Sequence, residues 1–505
     1  MINEQDRKWW VTFAMGLILV LINVDLSALT IALPAIGRGL DTSNANLQWV
    51  MNAYILALAA PSVAAGRLAD IFGRRKAVLV GTVVFAVGSV FAGFALADWW
   101  LIAARVVQGL GAATFFTASL SVVTNAFPQD EQSKGIGLWA AIGGIGLSLG
   151  PMIGGFLTDV LSWRWLFFAN IPIALITILL TLAAARESRD DTAGRHIDLI
   201  GLLSVTGGLV ALVFAIQQSS VYGWGSAPVL WSLVVAVILL GIFFLVEPRL
   251  HEPLIELGLF ANRGYLGANA LAATGNFGFG ALLFLLTLYL QNVLGYSPLG
   301  AGFVFLAYTV TVVVFELISG PATSAVGFVL PLAGAMVLLA VGFFMLALIT
   351  PSSGLIIVIV AIAIAGAGIG VNYTLATSSG MSSVPQDKAG AASGILSMVR
   401  LVGTAFGIAV AGTLFKTLEN NKLSQLLRNA GTDLSTSERR EIRGLLSGSD
   451  AAQTELARLA PEAADQLERI VREAFVYGFG WAMALCAVVS LVGVLAAFLV
   501  PARAS

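Results

Sequence analysis

The sequence has little charge, little histidine and almost no cysteine. Of its 505 residues, 11% are charged and 58% are hydrophobic, whereas soluble proteins carry about a quarter charged residues. The formal net charge of −1 argues against a nucleic-acid partner. Cys486 is the single cysteine and cannot form an internal disulfide. The sequence lacks a G-x-x-x-x-G-K-[ST] loop, so ATP is not the expected energy source, and we expect no metal or cofactor.

The hydrophobic residues are concentrated in long apolar runs. Runs of about 20 residues recur along the chain, and each is long enough to cross a bilayer as a helix. They lack the two-residue alternation of a membrane barrel, so the sequence predicts an all-α polytopic membrane protein. We place about fourteen spans near 10–34, 47–66, 77–97, 100–124, 135–158, 165–184, 197–217, 229–246, 264–291, 299–320, 327–349, 354–379, 393–416 and 474–499. The first run is too long for a signal-peptide core, and we expect it to be retained.

Basic residues set the predicted orientation. Arg74, Arg75 and Lys76 typify the loops on one side, whereas Arg38 and Arg164 are the basic residues in the short loops on the other. The positive-inside rule therefore predicts that both termini are cytoplasmic, in a cell inner membrane.

A polar segment near 417–473 then lies outside the cytoplasm. Its capping patterns at 435–438 and 450–453, and Pro461 as a first helical residue, predict short amphipathic helices. The segment is either a solvated hairpin, or a lid or partner surface.

The chain contains an internal repeat. When it is shifted so that Gly109 falls on Gly366, Gly111 falls on Gly368 and Gly146 on Gly403. The loop tripeptide at 128–130 then falls on an identical tripeptide at 385–387. An even number of helices separates the copies, so both run in the same direction. We therefore predict a six-helix bundle at 1–190, two inserted helices at 191–258 and a second six-helix bundle at 259–505.

The segment GRLADIFGRRK, residues 66–76, concentrates charge between two apolar spans. Gly66 and Gly73 permit a tight turn and close helix approach, and Arg74 belongs to its basic cluster. An acid such as Asp70 is favoured near a helix N-terminus. The segment either only anchors the topology or takes part in gating.

Ionisable residues inside the spans are costly in lipid and usually functional. Asp25 and Arg105 have similar predicted depths, so the two side chains are candidates for one polar network, although Arg105 has the alternative of reaching the outer interface. Glu316 and Arg400 also have comparable depths in their spans. Glu316 either binds a proton or a cation, or forms a structural pair with Arg400.

Four motifs in order resemble the major facilitator superfamily, and specifically its fourteen-helix drug:proton antiporters. They are residues 66–76, RVVQGLGAA at 105–113, GLSLGPMIGG at 146–155 and VDLSALTIALP at 24–34. In the last motif Val24 and Ser27 stand where the family usually has Leu and Thr. The resemblance covers nearly the whole chain and implies two bundles of parallel repeats that move against each other.

The resemblance also implies roles for residues. Asp70 would hold the halves together when the cytoplasmic side is shut. A sliding interface between the halves would comprise Gly146, Gly150, Pro151, Gly154 and Gly155. The GLSLG string also fits a nucleophile-elbow pattern, but it lies in an apolar run, and we expect no catalytic residue.

The function implied is export of lipophilic, often cationic small molecules in exchange for protons, by a monomer in the lipid bilayer. Outside protons would load Asp25, with Glu316 as a second candidate, and substrate and proton would compete for one electronegative cavity. Three alternatives are open: a proton-coupled exporter of lipids, siderophores or metabolites; an uptake symporter or facilitator; and a membrane scaffold or receptor. The last has no need of two acids and an arginine within the membrane.

Overall fold

A computed structural model describes residues 3–128, 131–189, 198–250, 253–385, 388–430 and 461–501. Fourteen helices in this part of the chain are long and apolar enough to cross a membrane, as the sequence predicted. They are α1 (Glu4–Gly39), α2 (Asn44–Phe72), α3 (Arg74–Gly93), α4 (Asp98–Ala126), α5 (Gln132–Val160), α6 (Trp165–Ala184), α7 (Leu199–Tyr222), α8 (Ala227–Val246), α9 (Arg263–Leu288), α10 (Pro298–Val326), α11 (Val329–Ala347), α12 (Leu355–Ser382), α13 (Ala389–Asn429) and α14 (Pro461–Ala497). Short 3₁₀ turns cover Glu247–Arg249 and Leu257–Ala261, and a π-turn at Tyr289–Val293 follows α9.

Polar side chains and one glycine fix several helix boundaries. Asn262 caps α9 by accepting hydrogen bonds from the backbone N–H groups of Gly264 and Tyr265. Asp198 caps α7 in the same way through the N–H of Gly201. Gly73 has a φ of 115°, which a side-chain-bearing residue rarely adopts, and it makes the sharp corner between α2 and α3.

Glycines let the helices of each half approach closely. A Cβ at Gly109 in α4 would lie 2.6 Å from the Tyr54 carbonyl oxygen in α2. A Cβ at its repeat partner Gly366 in α12 would lie 2.5 Å from the Tyr308 carbonyl oxygen in α10. Each pair thus brings two helix backbones together without a side chain between them.

A second pair of glycines repeats the same arrangement. Gly146 in α5 lies against Val20 of α1, where a Cβ would come within 2.8 Å of the Val20 Cα atom. Gly403 in α13 lies against Ala273 of α9, where a Cβ would come within 2.6 Å of the Ala273 carbonyl oxygen. The sequence repeat therefore corresponds to a repeat of helix contacts, in which α1, α2, α4 and α5 match α9, α10, α12 and α13.

The inserted helices α7 and α8 pack on each other, and α7 also lies beside helices of both halves. The rings of Trp49 in α2 and Phe214 in α7 lie 6.0 Å apart. From the other half, the Thr413 hydroxyl of α13 donates a hydrogen bond of 3.0 Å to the Ile216 carbonyl of α7. Helix α7 is thus a lateral bridge between the halves, while the boundaries at 190/191 and 258/259 stay predictions.

The two described ends of the polar segment predicted at 417–473 belong to long helices and not to separate short ones. Helix α13 continues past the predicted span end at 416 to Asn429, and α14 begins at Pro461. Leu423 and Leu427 of α13 pack with Val471 and Ala474 of α14. The two long helices therefore stay packed together beyond the predicted spans, because their apolar faces continue there. The capping patterns at 435–438 and 450–453 lie outside the described residues.

Candidate functional site

Asp25 of α1 and Arg105 of α4 form an ion pair inside the first half of the chain. The Nη1 atom of Arg105 donates to the Asp25 Oδ2 atom. The Arg105 side chain is 0% exposed and the Asp25 side chain 3%. Arg105 therefore does not reach an interface, which was the alternative from the sequence. The structure brings the two residues together as one polar network.

Three uncharged side chains complete this network, and the sequence analysis did not identify them. Gln108 of α4 donates through Nε2 to Ser89 Oγ of α3 at 2.8 Å and to Asp25 Oδ1 at 3.4 Å. Asn170 of α6 donates to the same Asp25 oxygen at 3.2 Å. Gln108 follows Arg105 by one helical turn, so its position next to Arg105 could have been predicted from the sequence. No local sequence feature predicts that Ser89 or Asn170 belongs to the network. The Asp25 carboxylate thus receives hydrogen bonds from α4 and α6.

Arg105 has further partners in α2. Its Nε atom donates to the Val50 carbonyl oxygen at 3.1 Å, and its guanidinium carbon lies 4.1 Å from the centre of the Tyr54 ring. The Arg105 Nη2 atom and the Tyr54 hydroxyl are both buried without a hydrogen-bond partner. Such unpaired groups are uncommon in protein interiors and indicate a site whose hydrogen bonds change or that admits water.

The network is enclosed by α1, α2, α3, α4 and α6. Asp25 as a whole is 6% exposed. Direct competition between substrate and proton would require Asp25 to line an open cavity. The structure instead shows Asp25 enclosed by helices. Any coupling between Asp25 and a substrate between the halves has to pass through movement of these helices.

Glu316 and Arg400 lie near each other in the second half but form no ion pair. The Arg400 Nη2 atom instead donates to the Tyr373 carbonyl oxygen at 2.8 Å and to the Thr377 hydroxyl. Its guanidinium carbon lies 3.8 Å from the centre of the Tyr373 ring. The half-buried Glu316 carboxylate has no ion pair among the described residues. The geometry therefore differs from a structural pair.

The 66–76 segment is held within its own half. Asp70 of α2 pairs with Arg74 of α3 at 2.7 Å, across the corner at Gly73. The Glu187 carboxylate, after α6, accepts from the backbone N–H groups of Arg75 and Lys76 at 3.0 and 3.3 Å. An anion at a helix N-terminus is favoured by the helix dipole, so Glu187 anchors the start of α3. The sequence analysis missed Glu187.

The predicted glycine interface divides between two neighbours. Gly146, Gly150 and Gly154 face α1 in their own half, which corrects their predicted position between the halves. Gly155 faces α10, where a Cβ would lie 2.5 Å from the Pro298 carbonyl oxygen. The spacing of four residues puts the first three glycines on one stripe of α5. Gly155 is one residue further round the helix and faces the other half.

Contact between the halves is close at one end of the molecule and loose at the other. We call the end that carries Gly73 and Glu187 the basic end. Far from it, a Cβ at Gly302 would lie 2.5 Å from the Pro151 carbonyl oxygen. Toward the basic end, a Cβ at Gly144 would lie 3.9 Å from Val313 Cγ2, and a Cβ at Gly394 would lie 3.9 Å from Val63 Cγ2. The halves therefore close against each other opposite the basic end.

Comparison with known proteins gives the family. Residues 15–408 match the family model described as Major Facilitator Superfamily. The chain is 34% identical over 422 residues to the multidrug resistance protein Stp of Mycobacterium tuberculosis, covering 83% of this chain and 78% of that protein. It is 30% identical over 489 residues to the tetracenomycin C resistance and export protein of Streptomyces glaucescens, covering 97% and 90%.

A solved structure shares the fold. A bacterial homologue of the human lysosomal transporter Spinster, in an inward-facing and unoccupied conformation, matches with a TM-score of 0.65 and 17% identity, covering 97% of this chain and 98% of that one. The match to the family model, the two relatives and the fold of the solved structure agree. The chain belongs to the Major Facilitator Superfamily.

Proposed function

We propose that this protein exports lipophilic, often cationic compounds in exchange for protons. The observation that carries the proposal is the enclosed ion pair of Asp25 and Arg105. A carboxylate inside the membrane costs free energy, and such residues usually have a function. The names of the relatives, a multidrug resistance protein and a tetracenomycin C resistance and export protein, support export of small molecules.

Proton binding at Asp25 would change helix contacts in the first half. A protonated Asp25 loses its charge and its attraction to Arg105. Arg105 would keep its hydrogen bond to Val50 in α2 and its position over the Tyr54 ring. The link between α1 and α4 would therefore weaken while the link between α4 and α2 persists. This change provides a way to couple protonation to rearrangement of the half.

Glu316 is the proposed charge partner for a cationic substrate. Its carboxylate is half-buried in α10, and Arg400 is engaged with Tyr373 and Thr377 in α12 rather than with Glu316. A carboxylate without an ion pair in a partly apolar environment is suited to attract a lipophilic cation.

Orientation and conformation follow from the positive-inside rule. The basic end would be cytoplasmic, and the even number of spans would put both termini there in the inner membrane. The close contacts opposite that end then correspond to an inward-facing state. All residues of the network lie in one chain, so we propose a monomer as the functional unit.

Transport in inverted vesicles tests the proposal. Wild-type vesicles with an imposed proton gradient should accumulate a lipophilic cationic dye, and an uncoupler should abolish the accumulation. Asp25→Asn should insert normally but lose gradient-driven accumulation, because its amide does not titrate. Asp159→Asn, which removes an exposed carboxylate near the end of α5, is the matched control and should transport normally.

Two results contradict the proposal. If Asp25→Asn accumulates dye to the wild-type level under the same gradient, Asp25 is not the coupling site. If the wild type accumulates dye equally with the uncoupler, transport is not driven by protons. Accumulation of neutral metabolites or lipids instead of the dye would indicate the alternative substrates.

A further inference from the structure

Two acids outside the Asp25 network face each other at the basic end. Asp198 caps α7, and its Oδ1 atom accepts from the Gly201 N–H at 2.7 Å. Glu247 begins the turn after α8, and its Oε1 atom accepts from the Ile255 N–H at 2.5 Å. The remaining oxygens, Asp198 Oδ2 and Glu247 Oε2, are buried and receive no hydrogen bond from a donor.

These two oxygens point at the same place. A Cβ at Gly201 would lie 2.0 Å from Asp198 Oδ2 and 2.5 Å from Glu247 Oε2, so the two oxygens lie within about 4.5 Å of each other. Glu247 is 1% exposed, so water does not separate the pair freely. Two ionised carboxylates in such contact repel each other, whereas one shared hydrogen converts the contact into a strong hydrogen bond.

The two charged residues that next follow Glu247 in the described part of the chain have other partners. Arg249, on the same turn as Glu247, donates to the Leu245 carbonyl oxygen. Glu256 pairs with Lys388 at 2.6 Å. Among the described residues, no basic group is hydrogen-bonded to the facing oxygens of Asp198 and Glu247.

We propose that Asp198 and Glu247 form a second proton site, in which one shared hydrogen fastens the segment after α8 to the start of α7. The hydrogen stays on the pair in acid and is lost as the pH rises. Loss of the hydrogen leaves two facing negative charges, so the contact between the segment and α7 loosens.

The segment held by this pair packs at the interface between the halves. Leu254 and Ile255 belong to a buried apolar cluster that also includes Ala64 of α2 and Ile395 of α13. Val205 of α7 is in the same cluster. Residues of both halves, of α7 and of this segment are therefore buried in one cluster. A change in the proton site would therefore act on the basic end of the interface, at a distance from Asp25.

Hydrogen exchange of the full chain in lipid nanodiscs tests the site directly. The protection factor of the Ile255 amide, corrected for intrinsic exchange, should fall about tenfold or more from mildly acidic to mildly alkaline pH, a factor that corresponds to one unit of pKa difference between the docked and open states. In Glu247→Gln the amide group donates permanently to Asp198. The protection factor of the Ile255 amide in this variant should be independent of pH and equal to the value of the wild type at acidic pH.

Two further variants complete the test. Asp198→Asn keeps the cap of α7 and supplies a permanent donor to Glu247, so it should also remove the pH dependence, and it serves if Glu247→Gln does not fold. Glu256→Gln removes a neighbouring acid outside the pair and should retain the wild-type dependence.

A protection factor that does not change with pH in the wild type would overturn the shared hydrogen. A wild-type pH dependence of the protection factor in Glu247→Gln would also overturn it. Weak protection of Ile255 at every pH in both Glu247→Gln and Asp198→Asn would do the same. Because the measurement reads exchange and not transport, its failure leaves the proposed role of Asp25 unaffected.

Discussion

The two halves of the chain share their backbone contacts but differ in the charge of their cores. Gly109 meets the Tyr54 carbonyl in the first half as Gly366 meets the Tyr308 carbonyl in the second. At the repeat position of Arg105, however, the second half has Ile362, which is also fully buried. Close packing of this fold therefore does not depend on a buried arginine. The ion pair in the first half is better explained by function than by stability.

Making the first half resemble the second should have the largest effect. Arg105→Ile leaves the Asp25 carboxylate buried without its cation, which should cost about 3–5 kcal/mol and reduce the yield of folded protein. The double variant Asp25→Leu with Arg105→Ile removes both charges and should recover most of the thermal stability, but no proton-driven transport. Melting temperature and dye accumulation measure the two effects. A single variant as stable as the wild type would contradict the strong pairing of the two residues.

Matched glycine substitutions test the similarity of the halves. A methyl group at Gly109 or Gly366 would lie 2.6 or 2.5 Å from a backbone carbonyl oxygen. Each Gly→Ala change should therefore destabilise by about 1–3 kcal/mol, and the two losses should be similar. Gly137→Ala is the control, because nothing lies within 4 Å of its Cβ position. A loss at one position only, measured by thermal unfolding, would show that the repeated contacts are not energetically equivalent.

Glu316 and Arg400 test whether the second half uses its charges separately. Because they form no ion pair, Glu316→Gln should leave folded yield near normal and reduce transport of cationic substrates more than neutral ones. The swap of Glu316→Arg with Arg400→Glu should be inactive, because it removes the hydrogen bonds of Arg400 to α12. Expression and transport together are the readout. A fully active swap would establish a structural pair instead.

The smallest change in stability is expected at Asp70. Its ion pair with Arg74 is partly exposed, and exposed ion pairs contribute about 0.2–1 kcal/mol. Asp70→Asn should barely change the melting temperature. If Asp70 also acts as a latch in the outward-facing state, the variant should increase thiol labelling of cysteines introduced at the basic end. The buried Cys486 contributes little background, and labelling equal to wild type would exclude the latch.

Sequence periodicity and composition predicted much of the architecture. Fourteen apolar runs correspond to fourteen helices in the described part of the chain, although α14 includes Pro461 and so starts before the predicted span at 474–499. The repeated glycines predicted a repeat that the structure shows as equivalent helix contacts. The end of α13 was placed too early, because polar residues beyond 416 end an apolar run without ending the helix.

What the sequence by itself determined is the set of helices, the internal repeat and the identity of the charges placed in apolar spans. These follow from local properties: the length of an apolar run, the spacing of glycines and the cost of charge in lipid. Only the tertiary structure decided the partners. Asn170 of α6 donates to Asp25, and Ser89 of α3 accepts from Gln108. Glu187 reaches the start of α3, and Glu247 lies beside Asp198 from the end of another helix. These partners are distant in sequence, and their contacts depend on how each helix is rotated against its neighbours, which a single sequence does not record.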